Sequence, residues 1–149
     1  MSNARIQTWM TSTPPTLGPK DSVKSALAVL RTTGSPELVI VDAGVVVGML
    51  NERDIWQHCP TSAVMLEEHQ RTELLETFRI GAVMALHPPV LAPDDSLSDA
   101  ARLFAESGRR GLAVVSDGGL VGFLSEATFL YAAGLLLQED GESVTKRED

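Results

Sequence analysis

Cysteine, aromatic residues and positive charge are all scarce in this chain. A single cysteine, Cys59, stands in 149 residues, which excludes an intramolecular disulfide framework and fits a reducing compartment. Aromatic residues make up 5% against 44% hydrophobic overall, so the expected core is aliphatic. Lys and Arg number 12 against 20 Asp and Glu, for a formal charge of −8. That balance argues against nonspecific nucleic-acid binding, because phosphate contacts need clustered cations. No apolar run reaches the roughly 18 residues that a bilayer span demands, and the first residues show no signal-peptide hydrophobic region. A soluble, cytoplasmic chain without a membrane partner is the expectation.

Catalytic constellations are missing as well. His58 and Cys59 are sequence neighbours that point apart, with no orienting third group. His58, Cys59, His69 and His87 have no metal-ligand spacing. Gly118-Gly119 is not followed by Lys-Ser/Thr, as a phosphate loop would be. No catalytic residue, no metal and no enzymatic activity are expected.

What the chain does contain is one pattern written twice, seventy-four positions apart. Val45-Val46-Val47-Gly48-Met49-Leu50-Asn51-Glu52-Arg53-Asp54 returns as Gly119-Leu120-Val121-Gly122-Phe123-Leu124-Ser125-Glu126-Ala127-Thr128. Trp9–Ile55 lies on Val83–Phe129 without a gap: Met10 falls on Met84, Pro14-Pro15 on Pro88-Pro89, Asp21-Ser22 on Asp95-Ser96, Gly34 on Gly108. A long period present only twice argues for two stacked supersecondary units rather than a solenoid.

Each copy predicts the same elements. Thr16-Leu17 and Val90-Leu91 read as very short strands. Asp21 or Ser22 caps a helix whose apolar face is Val23, Ala26, Leu27 and Leu30, ended by Gly34; Ser96–Ser107 repeats it. Leu38–Val41 and Val45–Leu50 are strands joined at Asp42-Ala43-Gly44, and Leu112–Val115 and Leu120–Leu124 are joined at Asp117-Gly118-Gly119. Gly48 interrupts its strand where a second backbone or a ligand comes close. Glu52–His58 is a helix ended by Pro60; Glu126–Leu137 is its strongly apolar counterpart. Between the copies, a connecting helix is expected over about Ala63–Phe78. Trp9-Met10 is expected to begin the ordered part.

The order Met–x3–Pro–Pro–apolar, Asp-Ser, helix ending in Gly, strand, hairpin, strand with Gly, and Asn/Ser-Glu helix resembles the CBS domain. Two in tandem resemble a Bateman module. The resemblance implies an α/β fold of two βαββα repeats packed as a pseudo-twofold pair. On this reading 9–60 is the first repeat, 61–82 a helical connection, 83–137 the second repeat, and 138–149 an acidic flexible tail. It also implies an adenosine-containing ligand, AMP, ADP, ATP or S-adenosylmethionine, in the cleft between repeats.

The resemblance distributes the site as follows. In family members with a Ser/Thr-x-x-Asp at the strand-to-helix corner, the Asp meets the ribose hydroxyls; here the positions are Asn51 and Asp54. The residues alone allow a second reading, Asn51 as helix cap with Asp54 reaching back as its acidic partner. In the second copy the corner is Ser125 and Thr128, without a carboxylate, so that site is expected to be empty, weaker or otherwise used. Arg109, Arg110 and Arg53 are phosphate candidates, with a solvated Arg pair as the alternative. Thr16, Glu37, Leu38, Val90, Gly111 and Leu112 would line the base pockets. The apolar stripe of the last helix either joins a homodimer or folds back on its own core. The function implied is ligand sensing relayed to an unidentified protein partner, with no cofactor required; the alternative is a ligand-free structural or dimerisation module.

Overall fold

Ser22 and Ser96 start the two repeat helices by the same chemistry. Each hydroxyl accepts a backbone N–H three residues on, from Ser25 at 3.1 Å and from Asp99 at 3.1 Å, satisfying a donor that the first helical turn leaves orphaned. At Ser96 the cap is reciprocal, because the Asp99 carboxylate accepts the Ser96 N–H at 3.0 Å. That backbone bond and then the Ser96 hydroxyl hold the Asp99 carboxyl below its ordinary range, against an opposing effect of burial and with a lesser contribution from Arg102. Gly34 (φ 71°) and Gly108 (φ 67°) end the helices in the left-handed conformation.

The structure is a computed structural model that describes residues 4–58 and 66–148, with side chains through 139. In chain order the elements are α1 (Ile6–Trp9), β1 (Thr16–Leu17), α2 (Val23–Thr33), β2 (Leu38–Asp42), β3 (Val45–Leu50) and α3 (Glu52–His58). There follow α4 (Glu68–Thr77), a 3-10 turn (Ile80–Ala82), β4 (Ala85–Leu86), β5 (Val90–Leu91), α5 (Leu97–Ser107), β6 (Gly111–Ser116), β7 (Gly119–Ser125) and α6 (Glu126–Glu148). Both repeats therefore follow the βαββα plan that the sequence predicts.

The chain divides into two compact units. One comprises Thr13–Pro88 with Asp117–Leu120. Its sheet runs β1-β2-β3-β4, with β1 parallel to β2, β2 antiparallel to β3 through Leu38↔Leu50, and β3 antiparallel to β4 through Met49↔Ala85. The buried stripe of α2, Val23, Ala26, Leu27 and Leu30, packs with Leu38, Ile40, Leu50 and Ile55. Each such side chain contributes roughly 1.5–3 kcal/mol on burial. The other unit comprises Met1–Ser12, Pro89–Ser116 and Val121–Asp149. Its sheet is β5-β6-β7, and Ile6, Leu91, Leu97, Ala100, Leu112, Val114, Leu124 and Ala132 share its core.

Both hairpin turns have positive φ at their two central residues, Ala43 (50°) and Gly44 (82°), Asp117 (51°) and Gly118 (81°). That is the type I′ geometry whose twist suits adjacent strands.

Each unit is completed by the leader segment of the other repeat. Thr11, from the first repeat, exchanges backbone bonds with Phe123 of β7 at 2.8 and 2.9 Å. Ala85-Leu86, from the second repeat, forms β4 on β3. The strand glycines sit under these leaders. A Cβ on Gly48 would lie 2.5 Å from Met84 Sδ and 3.0 Å from the Ala85 carbonyl; one on Gly122 would lie 2.5 Å from Met10 Sδ and 2.9 Å from the Thr11 carbonyl. The close approach expected at Gly48 is met by Met84 and the Ala85 backbone. Two-residue pairings of this kind carry no periodicity, which is why β4 is absent from the sequence reading.

Other departures have local causes. The described structure is ordered ahead of Trp9, through the Arg5–Ser96 bridge and α1 with its fully buried Ile6; a single apolar residue in a polar run gives no pattern to read. The connecting helix is shorter than expected, since α4 starts at Glu68 with Glu67 and Gln70 forming its capping box. Cys59, Pro60 and the Ala63 end of that expected helix lie outside the described residues. α6 runs past Leu137 to Glu148. Extending a packed helix costs far less than nucleating one, and 138–149 contains no proline.

Candidate functional site

β3 enters the core at Met49 and Leu50, both fully buried, and delivers Asn51 to the start of α3. There the Asp54 N–H donates to Asn51 Oδ1 at 2.9 Å, and the Asn51 N–H donates to Asp54 Oδ2 at 2.9 Å. This is the reciprocal cap read from the sequence. The Asn51 side chain does a second thing: its Nδ2 donates to Glu37 Oε2 at 3.2 Å. An amide carries acceptor and donors on separate arms, so one residue caps the helix and reaches a neighbouring strand. Glu37 is 1% exposed and Asp54 8%. Charged residues are rarely buried this far unless hydrogen-bonded, and Asn51 bonds both.

The remaining candidates of this unit sit on β1, β2 and α3. Leu38 is fully buried in β2. Thr16 is exposed on β1 and Arg53 is exposed on α3. Arg31 Nε pairs with Glu52 Oε1 at 3.3 Å between half-exposed side chains, an interaction worth little in water. The Asp54 carbonyl lies 2.8 Å from His58 Nδ1.

The second corner, where β7 meets α6, differs in kind. The Thr128 N–H donates to Ser125 Oγ at 3.1 Å, and the Ser125 hydroxyl donates to Thr128 Oγ1 at 3.0 Å. A neutral hydroxyl pair replaces the amide and its two carboxylates. Arg110 contributes its carbonyl, which accepts the Glu126 N–H at 2.8 Å; its side chain is exposed and Arg109 is half-buried. Gly111 holds the position of Glu37. A Cβ there would lie 2.2 Å from Phe123 Cζ, so the ring fills the space that a side chain would need. Val90 is 43% exposed and Leu112 fully buried.

Thr16, Glu37, Leu38, Asn51, Arg53 and Asp54 thus belong to one unit, and Val90, Arg109, Arg110, Gly111, Leu112, Ser125 and Thr128 to the other. Two features escaped the sequence reading. Glu37 takes part through its side chain, not only through its backbone. Phe123, in the place of Met49, occupies the space above Gly111; the paired exchange of a large for a small residue was the available signal. Among the described residues no three His, Cys, Asp or Glu side chains form a group fit to hold a metal. No helix among them is long and apolar enough to cross a membrane.

Comparison with known proteins adds the following. The family model of the CBS domain matches twice, over residues 5–55 and 80–134. The CBS-pair protein CBSX2 from Arabidopsis thaliana is similar with a TM-score of 0.72 at 26% identity, over 91% of this chain and 97% of that one. CBSX2 in complex with AMP gives 0.71 at 26% identity, over 87% and 96%. The CBS domain pair of protein MJ0100, in complex with 5′-methylthioadenosine and S-adenosyl-L-methionine, shares the fold with a TM-score of 0.70 at 20% identity, over 87% and 95%. No curated protein matches the chain.

Proposed function

The chain belongs to the CBS-domain family, and from that premise we propose that it is a regulatory module that senses an adenosine-containing metabolite. A CBS-pair protein solved with AMP supports that ligand class, and a more distant one of the same fold is solved with 5′-methylthioadenosine and S-adenosylmethionine. The observation that carries the reading in this chain is the locked Asn51–Asp54 corner. The Asp54 carboxylate accepts the Asn51 N–H and the Asp54 N–H donates to Asn51 Oδ1, so the carboxylate is held at the mouth of α3 and meets a ribose diol with little further loss of side-chain freedom. A carboxylate has about four lone-pair positions, so the cap bond and diol recognition are compatible uses of one group. Thr16, Glu37 and Leu38 would border the base, with Arg53 as a phosphate contact on the same unit.

The second corner is the weaker site in this proposal. Thr128 supplies one hydroxyl where Asp54 supplies a carboxylate, and Gly111 lies beneath Phe123. Val90, Arg109, Arg110, Leu112 and Ser125 are its remaining candidates. The role is non-catalytic and cytoplasmic, with no cofactor required. Ligand binding shifts the module toward the conformation it prefers, by its difference in affinity between the two, and a protein partner reads that shift.

We also propose a homodimer. Leu130, Tyr131 and Leu137 on α6 are 60%, 64% and 70% exposed, and such exposed apolar side chains on a terminal helix support self-association. Sedimentation velocity is expected to show a dimer, and Leu130→Glu with Leu137→Glu to show a monomer with unchanged helix content. A monomeric parent chain would remove this part of the reading.

A ligand-free structural module is the competing reading, favoured by the side chains that already cap both corners. Thermal unfolding against AMP, ADP, ATP and S-adenosylmethionine separates the two. A true ligand at a hundred times its Kd stabilises by about 2.7 kcal/mol. Absence of any shift supports the structural module.

A further inference from the structure

We propose that Met10, seated on Gly122, and its repeat counterpart Met84, seated on Gly48, are peroxide-sensitive latches that hold the leader segments onto the sheet edges. In each unit a thioether fills the slot that a strand glycine leaves, with Sδ 2.5 Å from where a Cβ would stand. Each latch precedes the residues that add to the strand edge, Thr11 on Phe123 and Ala85 on Met49. Both methionines are half-buried, unlike Met49, which is fully buried. Met1 and Met65 lie outside the described residues.

The chemistry is a two-electron oxidation. The Sδ lone pair attacks one peroxide oxygen, the O–O bond breaks, an S–O bond forms and water leaves. Sulfur is oxidised and hydrogen peroxide is reduced. The product is a polar, bulkier sulfoxide in a slot shaped for an apolar thioether. Its oxygen needs donors, and the N–H groups of Thr11 and Phe123, one residue on from Met10 and Gly122, are already spent on each other's carbonyls.

Release is local rather than global. Upstream, Ile6 is fully buried, its N–H donates to the Asp95 carbonyl at 2.9 Å, and the Gln7 N–H donates to the Pro93 carbonyl at 2.9 Å. Those contacts do not pass through Met10. Oxidation therefore opens the Thr11–Phe123 pairing and bares the β7 edge while α1 stays docked. Because sulfoxide is reduced enzymatically, the latch resets.

The test treats the full chain with limiting hydrogen peroxide, locates sulfoxide by peptide mass spectrometry and follows amide hydrogen exchange. Met10 and Met84 are expected to oxidise before Met49, with exchange at Thr11 and Phe123 rising roughly tenfold and Ile6 and Gln7 staying protected. Met10→Leu is expected to abolish that response, and Met10→Gln to reproduce it without peroxide. Methionine sulfoxide reductase is expected to restore protection in the parent chain, a readout that needs no variant. Met10 resisting oxidation until Met49 reacts, Thr11 and Phe123 keeping their protection after Met10 oxidises, or Met10→Leu responding like the parent would each overturn the proposal.

Discussion

Asn51→Ala is expected to cost about 2–4 kcal/mol, roughly 1 from the lost cap of α3 and the rest from the amide withdrawn from a buried carboxylate. For a chain of this size that lowers Tm by roughly 5–15 °C. Two further variants divide the effect. Asn51→Ser keeps an oxygen for the Asp54 N–H but lacks the arm that reaches Glu37, so it is expected to fall between alanine and the parent. Glu37→Gln removes the buried charge, and in the Asn51→Ala background it is expected to recover part of the loss. Denaturant unfolding of the parent, Asn51→Ala, Glu37→Gln and their double variant as a double-mutant cycle measures the coupling. Should Asn51→Ser be as stable as the parent, the bond between Asn51 and Glu37 would carry no weight.

Gly111→Ala is the second large effect. The added methyl would stand 2.2 Å from Phe123 Cζ and 2.8 Å from its Cε1. Phe123 is 5% exposed and Gly111 is buried, so the ring moves only by disturbing packed neighbours. Overpacking of this kind costs about 1–3 kcal/mol. Phe123→Met is expected to rescue it, because methionine adapts to irregular gaps and is the residue at the matching place, Met49, in the first repeat. The double variant is expected to be more stable than Gly111→Ala alone by thermal unfolding. A strictly additive loss would mean that the ring does not occupy the space above Gly111.

How much of this was legible in the sequence differs by element. The α2 and α5 helices were readable end to end, because Ser22, Ser96, Gly34 and Gly108 are chemical punctuation that acts within one turn of chain. The hairpins at Ala43-Gly44 and Asp117-Gly118 were readable for the same reason. The leaders were not. Met10 and Met84 aligned as a repeat, but nothing local says that each lies on the glycine of the other copy. That pairing depends on a chain crossing of long sequence separation, and β4 is too short to show alternation.

The corner was half legible. The Asn51-x-x-Asp54 spacing announced a cap, and the reciprocal bonds are there. Glu37 was named as lining a base pocket, where the contacts are backbone groups and apolar side chains and identity says little. Its burial and its bond to Asn51 needed the fold. In the second repeat nothing local in the sequence couples Gly111 to Phe123; only in three dimensions does the ring fill the space that a side chain at 111 would need.

The account rests on the first corner as the place where an adenosyl ligand binds, and calorimetric titration tests that most directly. AMP and S-adenosylmethionine would be titrated into the full chain, into Asp54→Asn and into Thr128→Val. Asp54→Asn keeps an oxygen to accept the Asn51 N–H while removing the charge and one diol acceptor. The predicted result is binding to the parent, a fall of at least tenfold in affinity in Asp54→Asn, and little change in Thr128→Val. Equal affinity in the parent and Asp54→Asn, or no binding of either compound to the parent, would contradict it.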